Sequence, residues 1–422
     1  MKTGFSVNLE ALRGFAAIFV VFGHLLGLGY IFSPGYLPTL VMVFAPSAHL
    51  AVLVFFVLSG CVITASNQEI ATGQQIGAYM RKRFIRIYPI YFVAILLTVV
   101  LGAFHDSGFA VFGNLLLLQG TIVSTLTDNG PAWSLHYEVI YYLLFIPIVF
   151  FRFNFKMVFI LTIAFALGTF YFNPSINIHL ISPYLFGFSF WIGGACIAKY
   201  LLQRDEEVSY SQLLAMLFFL LSIDQLLAKP ALSAIISHTA SFVFKLDLSY
   251  PDNVNLSNIL LGYKDLIYLP YCLYVVLIFS GRKFRYEKFY FLVLQLPLLY
   301  AIYLTLKGPH QAHFVSSLVP LFYYTVSLLL QVINLSFVNK IGKQVVNTGS
   351  WLGGISYGIY IIHAPILYCL GKMEFSIAPK LSYVIKVIAL MAIVTGLAYL
   401  LEKVFQPWIK KILSPKNRLK HF

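Results

Sequence analysis

Charge is what this sequence has least of. Only 10% of its 422 residues are Asp, Glu, Lys or Arg, against about 25% in an ordinary soluble domain. At 60% hydrophobic residues, a fold in water would be left with apolar surface it has no means of hiding, so the solvent that fits is the bilayer. Acid is scarcer still, with 15 Asp and Glu against 29 Lys and Arg. Cysteine is limited to Cys61, Cys196, Cys272 and Cys369, all in apolar runs and none in CxxC spacing. That pattern excludes a disulfide framework and predicts packing thiols and no metal site. No polar stretch is long enough for a separate globular domain, and there is no low-complexity segment or internal repeat. A cleavable signal peptide is not expected either, because the first apolar run is too long and carries polar residues.

What is present is a series of apolar runs with basic flanks. The runs cover roughly 9–30, 48–66, 86–104, 133–151, 156–172, 184–202, 210–228, 264–280, 288–306, 313–334, 353–371 and 381–405. The pattern predicts an all-α, polytopic transmembrane bundle of about 10–12 spans. It is taken as one integral-membrane domain, 1–422, with core motifs in 9–366 and a basic tail at 406–422. The net charge of +14 reads as topology signals and anionic-lipid contacts, and no basic domain stands clear of the membrane to bind nucleic acid. With the N-terminus inside and segment 110–125 not crossing, 22 of the 29 Lys and Arg face the cytoplasm, the bias expected of a correct orientation. Both termini are therefore expected to be cytoplasmic. The longest outer loop, 229–263, contains Tyr250, Pro251, Asp252 and Asn253 and is either an acceptor cover or a plain connector.

Charges inside a span are expensive, so each needs a reason. The first span reads LEALRGFAAIFVVFGHLL, with Arg13 and His24 eleven residues apart. Eleven steps end about 20° past three full turns and about 16 Å up the helix, so both side chains share a face. Arg13 alone reads as an interfacial anchor and His24 alone as a packing hydrogen bonder; a shared stripe suggests a polar tunnel. Imidazole suits acyl transfer because it takes a proton from a hydroxyl near neutral pH. In LVFFVLSGCVIT (53–64), Ser59 and Gly60 break an apolar span, for close helix packing or for a site. In AYMRKRFIRIYPIYF (78–92), Arg83 and Arg86 lie one turn apart ahead of Pro89. Such a pair holds donor phosphates or lipid headgroups.

In PAWSLHYEVIYYLLF (131–145), Trp133 and Tyr137 suit an interface belt, Ser134 follows, and Glu138 sits inside an apolar helix. Glu138 is expected to orient His24 or to make a structural pair. His136 is two residues away, on another face, and has no assigned role. In LGGISYGIYIIHAPI (352–366), Ser356, Tyr357, Tyr360 and His363 form a polar stripe. His363 alone reads as structural, with a second base or an acceptor contact as the alternatives.

The ordered set of Arg, ten residues, His; FFVLSG; RxxR before Pro; WSLxxE; and SYxxYxxH resembles the acyltransferase 3 family from Leu12 to Pro365 and in the terminal span. The resemblance implies a bacterial enzyme of the cytoplasmic membrane that O-acetylates cell-surface carbohydrate from acetyl-CoA. It implies catalytic roles for Arg13, His24 and Glu138 and donor contacts for Arg83, Arg86 and Arg13. Ser59, Trp133, Ser134, Tyr357 and His363 would shape the substrate site. His136 within WSLHYE departs from the pattern. The chain ends soon after Gln406, Pro407 and Trp408, so a stand-alone form without an SGNH domain is expected, acting alone or with a separate extracytoplasmic protein. The rival reading is a non-enzymatic transporter or flippase for a glycan or lipid-linked sugar, which also buries charge at mid-membrane.

Overall fold

The structure, a computed structural model, describes residues 4–33, 35–36, 38, 44–67, 70, 72–102, 105–172, 181–201, 208–226, 238, 241–242, 245, 261–281, 286–307, 311–332 and 335–413. Most of loop 229–263, Arg204, Arg282, Lys283, Arg285 and the tail beyond Leu413 lie outside them. The described residues form helices and no strand; the nearest to sheet is one bridge between Gln119 and Val123. The helices are α1 (Gly4–Gly27), α2 (Ala48–Ser66), α3 (Gly73–Leu101), α4 (Gly108–Leu115), α5 (Trp133–Phe150), α6 (Phe155–Phe172), α7 (Ser182–Cys196) and α8 (Tyr210–Gln225). There follow α9 (Leu269–Phe279), α10 (Glu287–Lys307), α11 (Gln311–Val332), α12 (Ser336–Gly353), α13 (Ser356–Gly371), α14 (Pro379–Tyr399) and α15 (Gln406–Ile412). A π-helical stretch, Leu400–Phe405, joins α14 to α15 without a break.

Local chemistry sets the boundaries. At the start of α3 the Thr72 hydroxyl accepts the Gln75 N–H at 3.3 Å while the Gln75 side chain accepts the Thr72 N–H at 3.1 Å. Ser209 and Gln212 repeat this reciprocal cap on α8. Proline opens α14 and α15 at the first or second position, where its missing N–H costs nothing. Pro89, Pro147 and Pro365 instead sit inside α3, α5 and α13. There each frees carbonyls that must find other donors in an apolar solvent.

Among the described residues, five helices are long and apolar enough to cross a bilayer by themselves: Val7–Gly27, Ala48–Ser66, Gly73–Leu101, Thr127–Phe150 and Pro379–Ile412. A sixth is added if Leu318–Val332 and Ser336–Gly353, bent by 116° at their junction, make one span. This differs from the ten to twelve expected from apolar runs. Several of those runs fold as shorter apolar helices such as Phe155–Tyr171, Tyr210–Ile223 and Ser356–Gly371, and 264–280 is a 3-10 turn followed by the eleven residues of α9. Segment 110–125 forms the eight-residue α4 and a run of turns. At about 12 Å, α4 is too short for a hydrocarbon core of about 30 Å.

The described residues cluster in two compact units, neither continuous in sequence. One comprises Met1–Leu12, His49–Gln68 and Arg152–Ser350; the other Arg13–Ala48, Glu69–Phe151 and Trp351–Phe422. In the first unit α8 packs along α11, and α7 lies against α6 and α9. The α2 and α7 backbones also touch. A Cβ added at Gly60 would fall 1.8 Å from the Trp191 carbonyl oxygen, and one at Gly194 2.0 Å from that of Val57. Ser59 belongs to this contact, its hydroxyl accepting the Trp191 indole N–H at 3.3 Å. In the second unit α13 is the hub, packed on α3, α14 and the 3-10 turn Thr127–Ala132.

The close approach makes a prediction. Gly60→Ala lowers the melting temperature of the detergent-solubilised protein, at an overpacking cost of about 1–3 kcal/mol. Gly168→Ala on α6, where an added Cβ meets nothing within 4 Å, leaves it unchanged or slightly higher because alanine is the better helix former.

Candidate functional site

Nine of the ten sequence-derived site residues fall in the second unit; Ser59 alone is in the first. Arg13 and His24 are both half-buried on α1. His24 Nδ1 lies 3.0 Å from His363 Nε2, and the two rings stack at 5.1 Å between centroids and 23° between planes. His363 is wholly buried, and its Nδ1 lies 2.6 Å from the Tyr360 carbonyl oxygen.

These contacts assign the protons. A carbonyl only accepts, so His363 Nδ1 carries the hydrogen. A neutral imidazole has one N–H, so His363 Nε2 is a lone pair. His24 Nδ1 must then be the donor across the 3.0 Å contact, which leaves the lone pair of His24 on Nε2. With both rings neutral, the network places the His24 lone pair on Nε2. The orienting position that sequence reasoning gave to Glu138 is filled by His363.

The rest of α13 is pinned by its neighbours. Pro365 has no N–H to give Ile361, one turn back, and the side chain of Asn129 donates to that carbonyl at 3.2 Å and to the Thr98 hydroxyl at 3.0 Å. Tyr360 donates to the Pro131 carbonyl at 2.8 Å and accepts a hydrogen bond from the Ser134 hydroxyl at 2.7 Å. Ser134 is therefore a support for α13. Trp133 stands edge-on to Tyr137 at 5.3 Å. At one end of this unit Lys372 pairs with Asp128 at 2.9 Å. Buried Lys386 donates to the carbonyls of Phe32 and Gly371 at 3.1 and 3.3 Å.

On α3, the Arg83 guanidinium lies 5.8 Å from the Tyr79 ring centre and 5.9 Å from that of Tyr142. The Tyr142 hydroxyl donates to Glu138, one turn back on α5. Arg86 donates to Glu402 and, at 2.9 Å, to Gln406. Gln406 in turn donates to the Arg86 carbonyl at 2.7 Å and reaches that of Ile85 at 3.5 Å. The Ile85 carbonyl is the one that Pro89, without an N–H, leaves open. The Tyr357 hydroxyl donates to Ile87 O at 3.0 Å, and the Arg86 guanidinium lies 6.0 Å from its ring.

His136, without a role from sequence, donates to the Leu117 carbonyl. Leu117 has a φ of +60°, so His136 braces a turn in a conformation uncommon for leucine. The α4 hairpin is held further by Tyr91 on Asn114 O at 2.7 Å and by Gln119 on Ala132 O at 3.0 Å. Sequence reasoning missed Asn129, Glu402 and Gln406. Glu402 had a signal, a lone acid in an apolar run, which the cost of intramembrane charge singles out. All four cysteines are free thiols, and among the described residues no group of three His, Cys, Asp or Glu side chains is placed to hold a metal.

Apolar helices of membrane length, carrying imidazole, guanidinium and carboxylate groups that satisfy one another inside a helical unit, define a multi-pass membrane protein. The family model for the acyltransferase domain of the acyltransferase 3 family matches residues 6–228, just over half of the chain. This chain belongs to that family. It is 30% identical over 154 residues to "Acyltransferase MdmB" of Streptomyces mycarofaciens, a match covering 33% of this chain and 38% of that protein. It is 34% identical over 161 residues to "Protein 2 in picA locus" of Rhizobium radiobacter, covering 32% of this chain and 77% of that one. No solved structure matches.

Asn129→Ala removes the donors of two buried acceptors and should cost about 1–3 kcal/mol. Thermal unfolding in detergent reads this as a lower midpoint. Asn129→Asp, which has the shape but not the N–H groups, should fare no better.

Proposed function

We propose that this protein is an O-acyltransferase of the bacterial cytoplasmic membrane. It moves an acetyl or similar acyl group from acetyl-CoA on the cytoplasmic side to a hydroxyl of a cell-surface or lipid-linked carbohydrate. The observation that carries this reading is the His24–His363 pair, which leaves the Nε2 lone pair of a membrane-embedded imidazole as the base. Family membership and the similarity to a protein named as an acyltransferase support it.

The steps follow from that tautomer. Cationic Arg83 and Arg86, one turn apart on α3, and Arg13 on α1 attract the donor's phosphates. His24 Nε2 takes the proton of the acceptor hydroxyl as its oxygen attacks the thioester carbonyl. The resulting imidazolium is steadied through Nδ1–H by the lone pair of His363 Nε2. As the carbon–sulfur bond breaks, the imidazolium returns its proton to the thiolate, giving the ester and free coenzyme A. Glu138, held by the Tyr142 hydroxyl on α5, is the acidic member of this catalytic set. No separate acyl-enzyme is required, and Ser59, engaged by Trp191, is not used as an acyl carrier.

The test supplies purified protein with acetyl-labelled coenzyme A and a carbohydrate acceptor. Wild type should turn the donor over, whereas a protein that only moves glycans across the membrane would not. His24→Ala should lose about 10²–10⁴-fold in rate, the usual contribution of a general base, while staying folded. His363→Gln keeps an acceptor for the His24 N–H and should retain clearly more activity than His363→Leu.

A further inference from the structure

Glu402 is buried, 4% exposed, in the π-helical stretch that joins α14 to α15. Its two oxygens face different elements. Oε1 accepts the backbone N–H groups of Tyr357 and Gly358, both at 3.1 Å. Oε2 accepts from the Arg86 guanidinium. The first amides of a helix have no carbonyl within the helix to bond, and Ile355 at the N-cap of α13 supplies no side-chain cap. The carboxylate of a distant residue therefore does that work, with a charge of the sign a helix N-terminus favours.

Neighbouring contacts make this a positional constraint. A Cβ added to Gly358 would fall 2.9 Å from Ala398 Cα, so α13 rests directly on the α14 backbone. Gln406 reaches from just beyond Glu402 to the Arg86 and Ile85 carbonyls of α3. The Tyr357 hydroxyl bonds to α3 as well. Six residues along α13 from Tyr357, about 9 Å of rise, stands His363, whose Nε2 must lie within hydrogen-bond distance of His24.

Resting on the acyl-transfer reading, we propose that Glu402 is a positioning residue. It fixes the height and rotation of α13 against α3, and so the register of His363 with His24, with Arg86 as its counter-charge. Residue 402 lies outside the segment that the family model matches, 6–228.

The test uses the full-length protein in detergent or nanodiscs and two readouts. Hydrogen–deuterium exchange of the peptide spanning Tyr357 and Gly358 should quicken about tenfold or more in Glu402→Ala. Acetyl transfer should lose about tenfold or more in kcat, because the base is misplaced, while KM for acetyl-CoA reports separately on the release of Arg86. Glu402→Gln keeps one carbonyl for the helix amides but loses the charge that holds Arg86. It should show near-native exchange with an intermediate kcat, and it serves if the alanine variant fails to fold. Unchanged exchange in Glu402→Ala, or an intact kcat, overturns the proposal. If wild type turns over no donor, the acyl-transfer reading fails, and the exchange readout alone decides whether Glu402 positions α13.

Discussion

The second unit depends on one contact, the hydrogen bond from the Nδ1–H of His24 to Nε2 of His363. In hydrocarbon an imidazole without a partner is costly, and a pair of them is tolerable only if donors and acceptors alternate. Here they do. The Tyr360 carbonyl sets the tautomer of His363, His363 sets that of His24, and one lone pair is left over at the end of the series. An imidazole in water is surrounded by competing donors. Here the His24 ring is oriented through His363 by a backbone carbonyl of the neighbouring helix, α13.

Proline provides much of the surrounding polar architecture. Pro365 exposes the Ile361 carbonyl to Asn129, and Pro89 exposes the Ile85 carbonyl to Gln406. In each case the helix gives up an internal bond and a side chain from another element takes its place. What reads in sequence as a helix breaker acts here as a socket, and each socket joins two helices whose relative height matters to the histidine pair. Burial adds the rest, since a carboxylate such as Glu402, once inside, must meet all its donors at once.

Much of this was legible in the sequence, and the reasons are specific. The Arg13–His24 stripe follows from helical periodicity, and the apolar runs announce a membrane protein through composition alone. The family resemblance read from five motifs agrees with the family match. Partner identity was not legible, because spacing along one helix says nothing about which other helix supplies the opposing atom. His363 therefore looked structural on its own, and Glu138 was given the place that His363 occupies. Ser59 and Gly60 share a motif with the others, yet their contacts are with Trp191 in the first unit. Span counting was less legible, since hydropathy measures how apolar a run is and not how far its helix continues, and among the described residues five or six helices are long enough to cross by themselves.

The distribution of the second unit along the chain has a consequence for how the protein is made. Arg86 emerges from the ribosome more than three hundred residues before Glu402, and His24 a similar interval before His363. At ordinary elongation rates of about 5–20 residues per second, each waits on the order of tens of seconds for its companion. During that interval the early helices enter the bilayer with polar groups that only the last helices can satisfy. Biosynthesis thus withholds the working arrangement until the final span has been inserted, and a prematurely terminated chain would hold the histidine of its first helix without the ring that aims it.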